Sequence, residues 1–225
     1  MSNLIGKVLN GKEFKQLYGD IFYKTLHDNL IHYNHKYVDG INVCSDKFNP
    51  IGSCNYGGLY FCTSKYIYKY LDIRSKYIVR VNILDDSLIY IEKDKFKANK
   101  FSIDLSTKCL VSEYENWTDE NFCNLAVEYY PFLIKYVSNQ NYNICKLAVQ
   151  LNGLTLKYIR IQTTELCELA VQNNGLALKY VLIQTSQICK LAIEKNHESI
   201  VYVHNLTMLL YIYAMQRKLL YYIKL

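Results

Sequence analysis

The sequence contains no apolar run long enough to cross a membrane. Its most apolar tail segment, residues 206–215, covers ten positions, whereas a membrane-spanning helix needs about 20. The first residues, MSNLIGKVLNGKEF, also lack the apolar core of a secretory signal. We therefore expect a soluble protein with no membrane partner.

The sequence also lacks a concentrated charge of either sign. Its formal net charge is +6, with 16 basic and 13 acidic side chains in residues 1–115 and 10 and 7 in residues 116–225. Because a nucleic-acid-binding domain usually has a concentrated basic face, the composition argues against nucleic acid as the partner. The apolar fraction of 51% predicts a folded chain with a real core.

Motifs for common cofactors and metals are also missing. There is no P-loop, no G-x-G-x-x-G and no H-E-x-x-H. Nine and seven residues separate Cys44, Cys54 and Cys62, whereas structural zinc sites pair cysteines about two to four residues apart. We predict neither a cofactor nor a metal. A Cys–His nucleophile pair stays open, because a histidine cluster that includes His32 precedes these cysteines.

The second half of the sequence does contain a strict 22-residue period. Cysteine, alanine and tyrosine each recur at this spacing. The members are Cys123, Cys145, Cys167 and Cys189; Ala126, Ala148, Ala170, Ala192 and Ala214; Tyr136, Tyr158, Tyr180 and Tyr202. A fourth series, Asp119, Asn141, Thr163, Thr185 and Thr207, supplies side chains that can cap a helix N-terminus. We therefore predict that a helix begins after each cap.

The pattern within each period predicts two short helices. Apolar residues follow each cap at helical spacing, and Gly153 and Gly175 offer a left-handed position at which the first helix can end. Short helices of this kind cannot bury their apolar sides alone, whereas stacked neighbours can. The sequence thus predicts, for residues 116–225, an all-α solenoid of five short two-helix repeats.

The repeated cysteines are interpreted as small buried apolar residues. Adjacent helices lie about 8–10 Å apart, whereas a disulfide needs Cα atoms within about 7 Å. A single zinc ion would need four thiolates around one centre. Eight cysteines without a signal peptide indicate a reducing compartment.

Three lysines share the 22-residue spacing and precede tyrosines of the repeat. Lys135, Lys157 and Lys179 are predicted to line up on one face. Such a ladder could bind an acidic peptide or a nucleic acid. The favoured interpretation is a solvated face that keeps the protein soluble.

Residues 1–115 have a different residue pattern, which predicts an α+β domain. The runs LYGDIFYKTL, LYFCTS, KYIVRVNI and SLIYIEK are rich in β-branched and aromatic residues, which favours strands, whereas TSKYIYKYLDI predicts a helix. Two glycines, Gly57 and Gly58, either let the backbone approach a ligand closely or form a sharp turn into a strand.

Two resemblances emerge from these motifs. HYNHKYVDGINVCSDKFNPIGSCNYGGLYFC, with KYIVRVNI and ENWTDENFCNLAV further on, resembles the leader region of uncharacterised giant-virus (mimivirus-type) proteins, many of which carry ankyrin repeats downstream. The unit C-x-L-A-V-x-x-N-G-x-x-L-K-Y-V/I is similar to a short helical repeat of unknown function in the same viruses. The ankyrin hallmark T-P-L-H-x-A is absent. These resemblances imply a viral protein made in the host cytoplasm.

The segment GGLYFCTSKYIYKYL, followed by YIVRVNI, also resembles part of the ADP-ribosyltransferases. That resemblance implies nicotinamide contacts at Tyr60 and Tyr70 and a catalytic acid at Glu113 or Glu115. The histidine motif of the family is absent, because His32 is not followed by Gly and Ser or Thr.

The sequence therefore supports two functional hypotheses. The first is an uncharacterised viral protein–protein interaction module, whose helical repeats recognise a host or viral protein. The alternative is an ADP-ribosyltransferase-like, or other NAD- or nucleotide-binding, enzyme in residues 1–115. A concave pocket holding His32, Tyr37 and Tyr60 would support the enzyme, with His32, Tyr60 and Glu113 as its catalytic candidates. The first hypothesis is favoured.

Overall fold

A computed structural model describes residues 4–32, 35–51, 56–72, 74–205 and 207–223, with the backbone alone at Leu209 and residues 217–223. The chain divides into two compact units, Met1–Asn116 and Trp117–Leu225. No helix in the described ranges is both long and apolar enough to span a bilayer.

In the described part of the first unit, the first strand leads directly into helix α1 (Gly11–Tyr18). Asn10 caps this helix, since its side chain accepts from the Glu13 amide at 2.9 Å while the Glu13 carboxylate accepts from the Asn10 amide at 3.3 Å. This reciprocal capping box fixes where the helix starts.

Eleven short strands form three antiparallel sheets in the described part of the first unit. The strands are β1 (Val8–Asn10), β2 (Phe22–His27), β3 (Ile31–His32), β4 (His35–Lys36), β5 (Gly40–Val43), β6 (Leu59–Phe61), β7 (Ser75–Asn82), β8 (Leu88–Ile91), β9 (Phe96–Ala98), β10 (Lys100–Ile103) and β11 (Cys109–Leu110). One sheet has the order β1-β8-β9-β6, a second has the order β11-β7-β10-β5 with β2 paired to β7, and β3 pairs with β4. The sequence prediction of α+β structure therefore agrees with this unit.

The core of the first unit is rich in phenylalanine. Phe14 of α1 is fully buried, and its ring lies 5.1 Å from that of Phe22 and 4.8 Å from that of Phe96. Phe61 and Phe101 extend the cluster. Because aromatic side chains bury large areas, this cluster anchors α1 to the sheets and fixes the strands that carry the pocket described below.

The second unit repeats one α-helix and one 3-10 helix four times. The α-helices are α2 (Glu120–Tyr129), α3 (Tyr142–Leu151), α4 (Thr164–Asn173) and α5 (Ser186–Lys195), and the 3-10 helices are Pro131–Tyr136, Gly153–Tyr158, Gly175–Tyr180 and His197–Tyr202. Each α-helix is capped by a predicted residue whose side chain accepts an amide of the first turn. These caps are Asp119, Asn141, Thr163 and Thr185.

The predicted all-α solenoid of five short two-helix repeats is wrong. The second element of each of the four units is a 3-10 helix of six residues, and the last period is occupied by α6 (Met208–Ile223), a single helix of 16 residues. Asn152 ends α3 in an extended conformation, and its side chain then caps the amide of Leu154 at 3.0 Å. The segment that remains is short, and short segments favour the tighter 3-10 geometry.

The glycines of the repeat also differ from their predicted role. Gly153 is not a left-handed helix end but the first residue of a 3-10 helix. A Cβ atom there would overlap the carbonyl oxygen of Ala170 in the next unit. Gly175 has the same relation to Ala192. Glycine is needed because two backbones approach each other closely.

Candidate functional site

A glutamine at the end of each of the first three units bonds to the next unit. The Gln162 side-chain amide donates to the carbonyl oxygens of Leu156 at 3.3 Å and Tyr180 at 2.9 Å, and its oxygen accepts from the Leu182 amide at 3.1 Å. Gln140 and Gln184 make the equivalent three bonds. Sequence analysis missed this series, although its 22-residue spacing could have revealed it.

The predicted lysine ladder is exposed and lies against tyrosines. The ammonium groups of Lys135 and Lys157 lie 4.5 and 5.4 Å from the ring centres of Tyr136 and Tyr158. Lys179 lies 5.8 Å from the ring of Tyr202 in the following unit, as well as from its own neighbour. The ladder thus consists of cation–π pairs.

Position 201, the next in the ladder, is valine instead of lysine and borders a groove. This groove, of about 580 Å³, lies between the 3-10 helix His197–Tyr202 and α6. Val201, Tyr211 and Met215 line it and are 74%, 47% and 48% exposed. Tyr202 also lines it, which connects the groove to Lys179. We call this site the terminal groove.

The repeated cysteines are buried, as predicted. Cys123, Cys145, Cys167 and Cys189 are each 3% exposed. Burial raises the pKa of every one of these thiols, and that of Cys123 reaches about 11. Thiols of this kind pack as small apolar groups and are poor nucleophiles.

A second site lies in the first unit, in a pocket of about 210 Å³. Its lining comes from β2, β3, β6, the 3-10 helix Ser64–Tyr70 with the residues after it, and the turn before β9. The lining side chains are Lys24, Thr25, His32, Tyr60, Phe61, Cys62, Lys69, Tyr70, Leu71, Asp72 and Lys95. We call this site the lysine pocket.

Lys24 and His32 form the most perturbed pair in the lysine pocket. Lys24 is 3% exposed, and its Nζ lies 2.6 Å from Nδ1 of His32. Burial lowers the pKa of Lys24 to about 7. Burial, together with the nearby Lys24 charge, lowers the pKa of His32 to about 3. The His32 ring is therefore neutral at neutral pH.

The other two lysines of the pocket are paired with carboxylates. Lys69 Nζ lies 2.6 Å from an Asp94 oxygen, and Lys95 Nζ lies 3.8 Å from a Glu92 oxygen. Lys95 also lies 4.3 Å from the ring centre of Tyr60. The ring of Tyr60 thus faces a cation of the same chain.

The structure brings His32, Tyr60 and Tyr70 into this pocket; nicotinamide contacts at the two tyrosines stay a prediction. Tyr37 does not line the pocket; its buried ring lies 5.2 Å from the Lys24 ammonium group. Glu113 is exposed, accepts from the Leu110 amide at 3.3 Å and is not among the residues that line the pocket.

The space beside the predicted glycines is occupied by the chain itself. Gly57 has a φ of 87°, and a Cβ atom there would meet Lys47 and Asn49. A Cβ atom on Gly58 would overlap the side chain of Lys97, whose ammonium group donates to the Asn49 carbonyl at 3.0 Å. In the described ranges no three His, Cys, Asp or Glu side chains converge as for a metal ion. Cys54 lies outside those ranges.

Comparison with known proteins gives a partial likeness to a viral protein. Over 129 residues the chain is 29% identical to a "Putative ankyrin repeat protein" of Acanthamoeba polyphaga mimivirus. The match covers 51% of this chain and 64% of the viral protein. The chain thus spans less than two thirds of that relative. No family model matches the chain, and no solved structure matches it. The likeness supports an origin in a giant virus and is too partial to assign a family.

Proposed function

We propose that the chain is a protein–protein interaction module that recognises a host or viral protein through the terminal groove. The observation that carries the proposal is the exposure of apolar side chains in a concave site, with Val201 at 74%. Exposed apolar residues are common singly, but a lined groove is typical of an interaction site.

The lysine ladder adds charge to this surface. Lys179 lies over Tyr202, which itself lines the terminal groove, so cations and apolar side chains form one continuous surface. A partner segment with apolar anchors followed by acidic residues would match both parts. Charged groups at the rim of an interface contribute mainly to the association rate and to partner choice.

The viral relative supports the same class of function, because ankyrin-type arrays present extended binding surfaces. We place the interaction in the host cytoplasm, in line with the free cysteines of the chain. The enzymatic alternative gains no comparable support, since the proposed acid Glu113 does not line the pocket that His32 and Tyr60 line.

Capture of partners from infected host cells with the tagged full-length chain tests the proposal. Val201→Lys should reduce recovery of the partner by at least about tenfold, because it places a charge at the centre of an apolar contact. Leu182→Lys is the matched control, since Leu182 is 71% exposed and lies outside the groove. Equal recovery by both variants, or equal loss, would overturn the terminal groove as the recognition site.

A further inference from the structure

The lysine pocket has more cationic than anionic lining side chains and takes no part in the proposed protein interaction. Lys24 reaches it from β2, Lys69 from the 3-10 helix Ser64–Tyr70, and Lys95 from the turn before β9. Asp72 is the one carboxylate among the lining residues. Three lysines thus reach the pocket from separate elements, and the carboxylates of Asp94 and Glu92 balance two of them, Lys69 and Lys95.

Lys24 differs from the other two lysines in the kind of group that it meets. Lys69 and Lys95 face the carboxylates of Asp94 and Glu92, whereas the hydrogen bond of Lys24 goes to the neutral His32 ring. Lys24 is also 3% exposed. A buried ammonium group is costly unless an anion compensates it, and the pocket leaves room for an anion to do so.

We propose that the lysine pocket binds the phosphate group of a small metabolite, with the phosphate oxygens held by Lys24 and Lys95. The side chains available favour phosphate over carboxylate. Lysine binds phosphate as a point charge, and a phosphate offers three oxygens to converging ammonium groups. Carboxylate recognition favours the planar fork of arginine, and the described lining contains no arginine.

The size of the pocket limits the rest of the ligand. Its volume of about 210 Å³ is below the roughly 300–1,000 Å³ of sites that enclose drug-sized ligands. In addition, the face of the Tyr60 ring is covered by Lys95, so this ring does not offer a free platform for a base. The geometry points to a phosphate monoester with a short carbon skeleton and not to a whole dinucleotide.

Phosphate binding should depend on pH through Lys24. An anion beside Lys24 favours its charged form, so binding requires a proton on this group and weakens as the pH rises above about 7. The charged or titratable groups that face Lys24 act on the same equilibrium. They are His32, Tyr37, Cys62, Asp72 and Lys95.

Calorimetric titration of the full chain with inorganic phosphate and with glycerol phosphate tests the proposal, with acetate as the carboxylate probe. Lys24→Met should weaken the binding of both phosphates by about tenfold or more, and acetate should bind more weakly than phosphate. Lys65→Met is the matched control: Lys65 is exposed on the same 3-10 helix as Lys69 but does not line the pocket.

If Lys24→Met alters folding, Lys95→Met serves as the second test. We expect Lys95→Met to cause the same loss of phosphate binding. An equal effect of Lys65→Met would show diffuse charge attraction and overturn the site. The site would also be overturned if titration with up to about 10 mM phosphate gave no heat. A specific site is expected to have a dissociation constant below that concentration. Neither result bears on partner capture by the terminal groove.

Discussion

Gln162 and Tyr180 are joined across the boundary between two repeat units: the Gln162 amide donates to the Tyr180 carbonyl oxygen at 2.9 Å. The same side chain bonds to Leu156 and Leu182. One glutamine therefore satisfies three backbone groups that belong to two units. Leaving such groups unpaired in a partly buried interface costs free energy.

Gln162→Ala should lower the free energy of unfolding by about 2–3 kcal/mol, because each lost hydrogen bond is worth about 1 kcal/mol. Chemical denaturation followed by circular dichroism measures this change. Gln172→Ala is the control, since Gln172 lies exposed on α4. A similar change in both variants would contradict the role assigned to Gln162.

Gly153→Ala should also destabilise the second unit, by about 1–3 kcal/mol, as expected for overpacking. Alanine is normally the better residue in a helix, so Gly153→Ala would be expected to raise the stability if no neighbour were close. Here the new methyl group overlaps the Ala170 carbonyl oxygen. Thermal unfolding against the same Gln172→Ala control decides between the two signs; a rise in melting temperature would refute the close approach.

Lys24→Met should change how stability depends on pH. The pKa of Lys24 is about 7 in the folded chain and 10.5 in its ordinary state. Between these values Lys24 binds more protons in the unfolded chain than in the folded chain. Its contribution to the free energy of unfolding therefore rises with pH across this window and does not change with pH below it. Each unit of pKa difference corresponds to about 1.4 kcal/mol.

The Lys24→Met variant should therefore be at least as stable as the parent chain at neutral pH, and its stability should rise less between about pH 7 and 9. Urea unfolding at several pH values measures both quantities. Lys65→Met, which removes an exposed ammonium group, should leave the slope of the parent unchanged. Because the variant differs from the parent only at Lys24, equal slopes for the two chains over this interval would rule out a depressed pKa at Lys24.

Cys44 should react with iodoacetamide before the repeat cysteines do. It is half-buried, whereas Cys145 and Cys189 are buried and burial raises the pKa of their thiols. Because the thiolate is the reactive form, mass spectrometry of the briefly labelled native chain should find the label on Cys44 first. After denaturation the difference should disappear. Early labelling of the repeat cysteines in the native chain would contradict their packing.

The helix starts of the repeat could be predicted because they depend on local chemistry. Asp119 and Thr163 accept an amide of the following turn whatever the rest of the chain does. The second element could not be predicted in the same way. Its 3-10 form depends on Asn152 and on the contact between Gly153 and the next unit, neither of which appears in the apolar pattern.

The lysine pocket was only partly visible in the sequence. His32 and Tyr60 attracted attention through a motif and a histidine cluster, but Lys24 and Lys95 belong to no local pattern. They meet because β2 contacts the end of β6 through the bridge between Tyr23 and Cys62, and β6 pairs with β9. Strand pairing over such separations depends on packing of the whole unit, so the composition of the pocket follows from the fold and not from spacing.

The repeated hydrogen bonds of Gln140, Gln162 and Gln184 affect how the length of this chain can change. Each of the three boundaries between the four units uses the same donors and acceptors, so a copied unit inserted between two existing ones would meet suitable partners on both sides. An in-frame duplication or deletion of one coding segment therefore requires no redesigned junction. Related chains could vary in length by whole multiples of 22 residues while the segment that forms the end of the array stays the same.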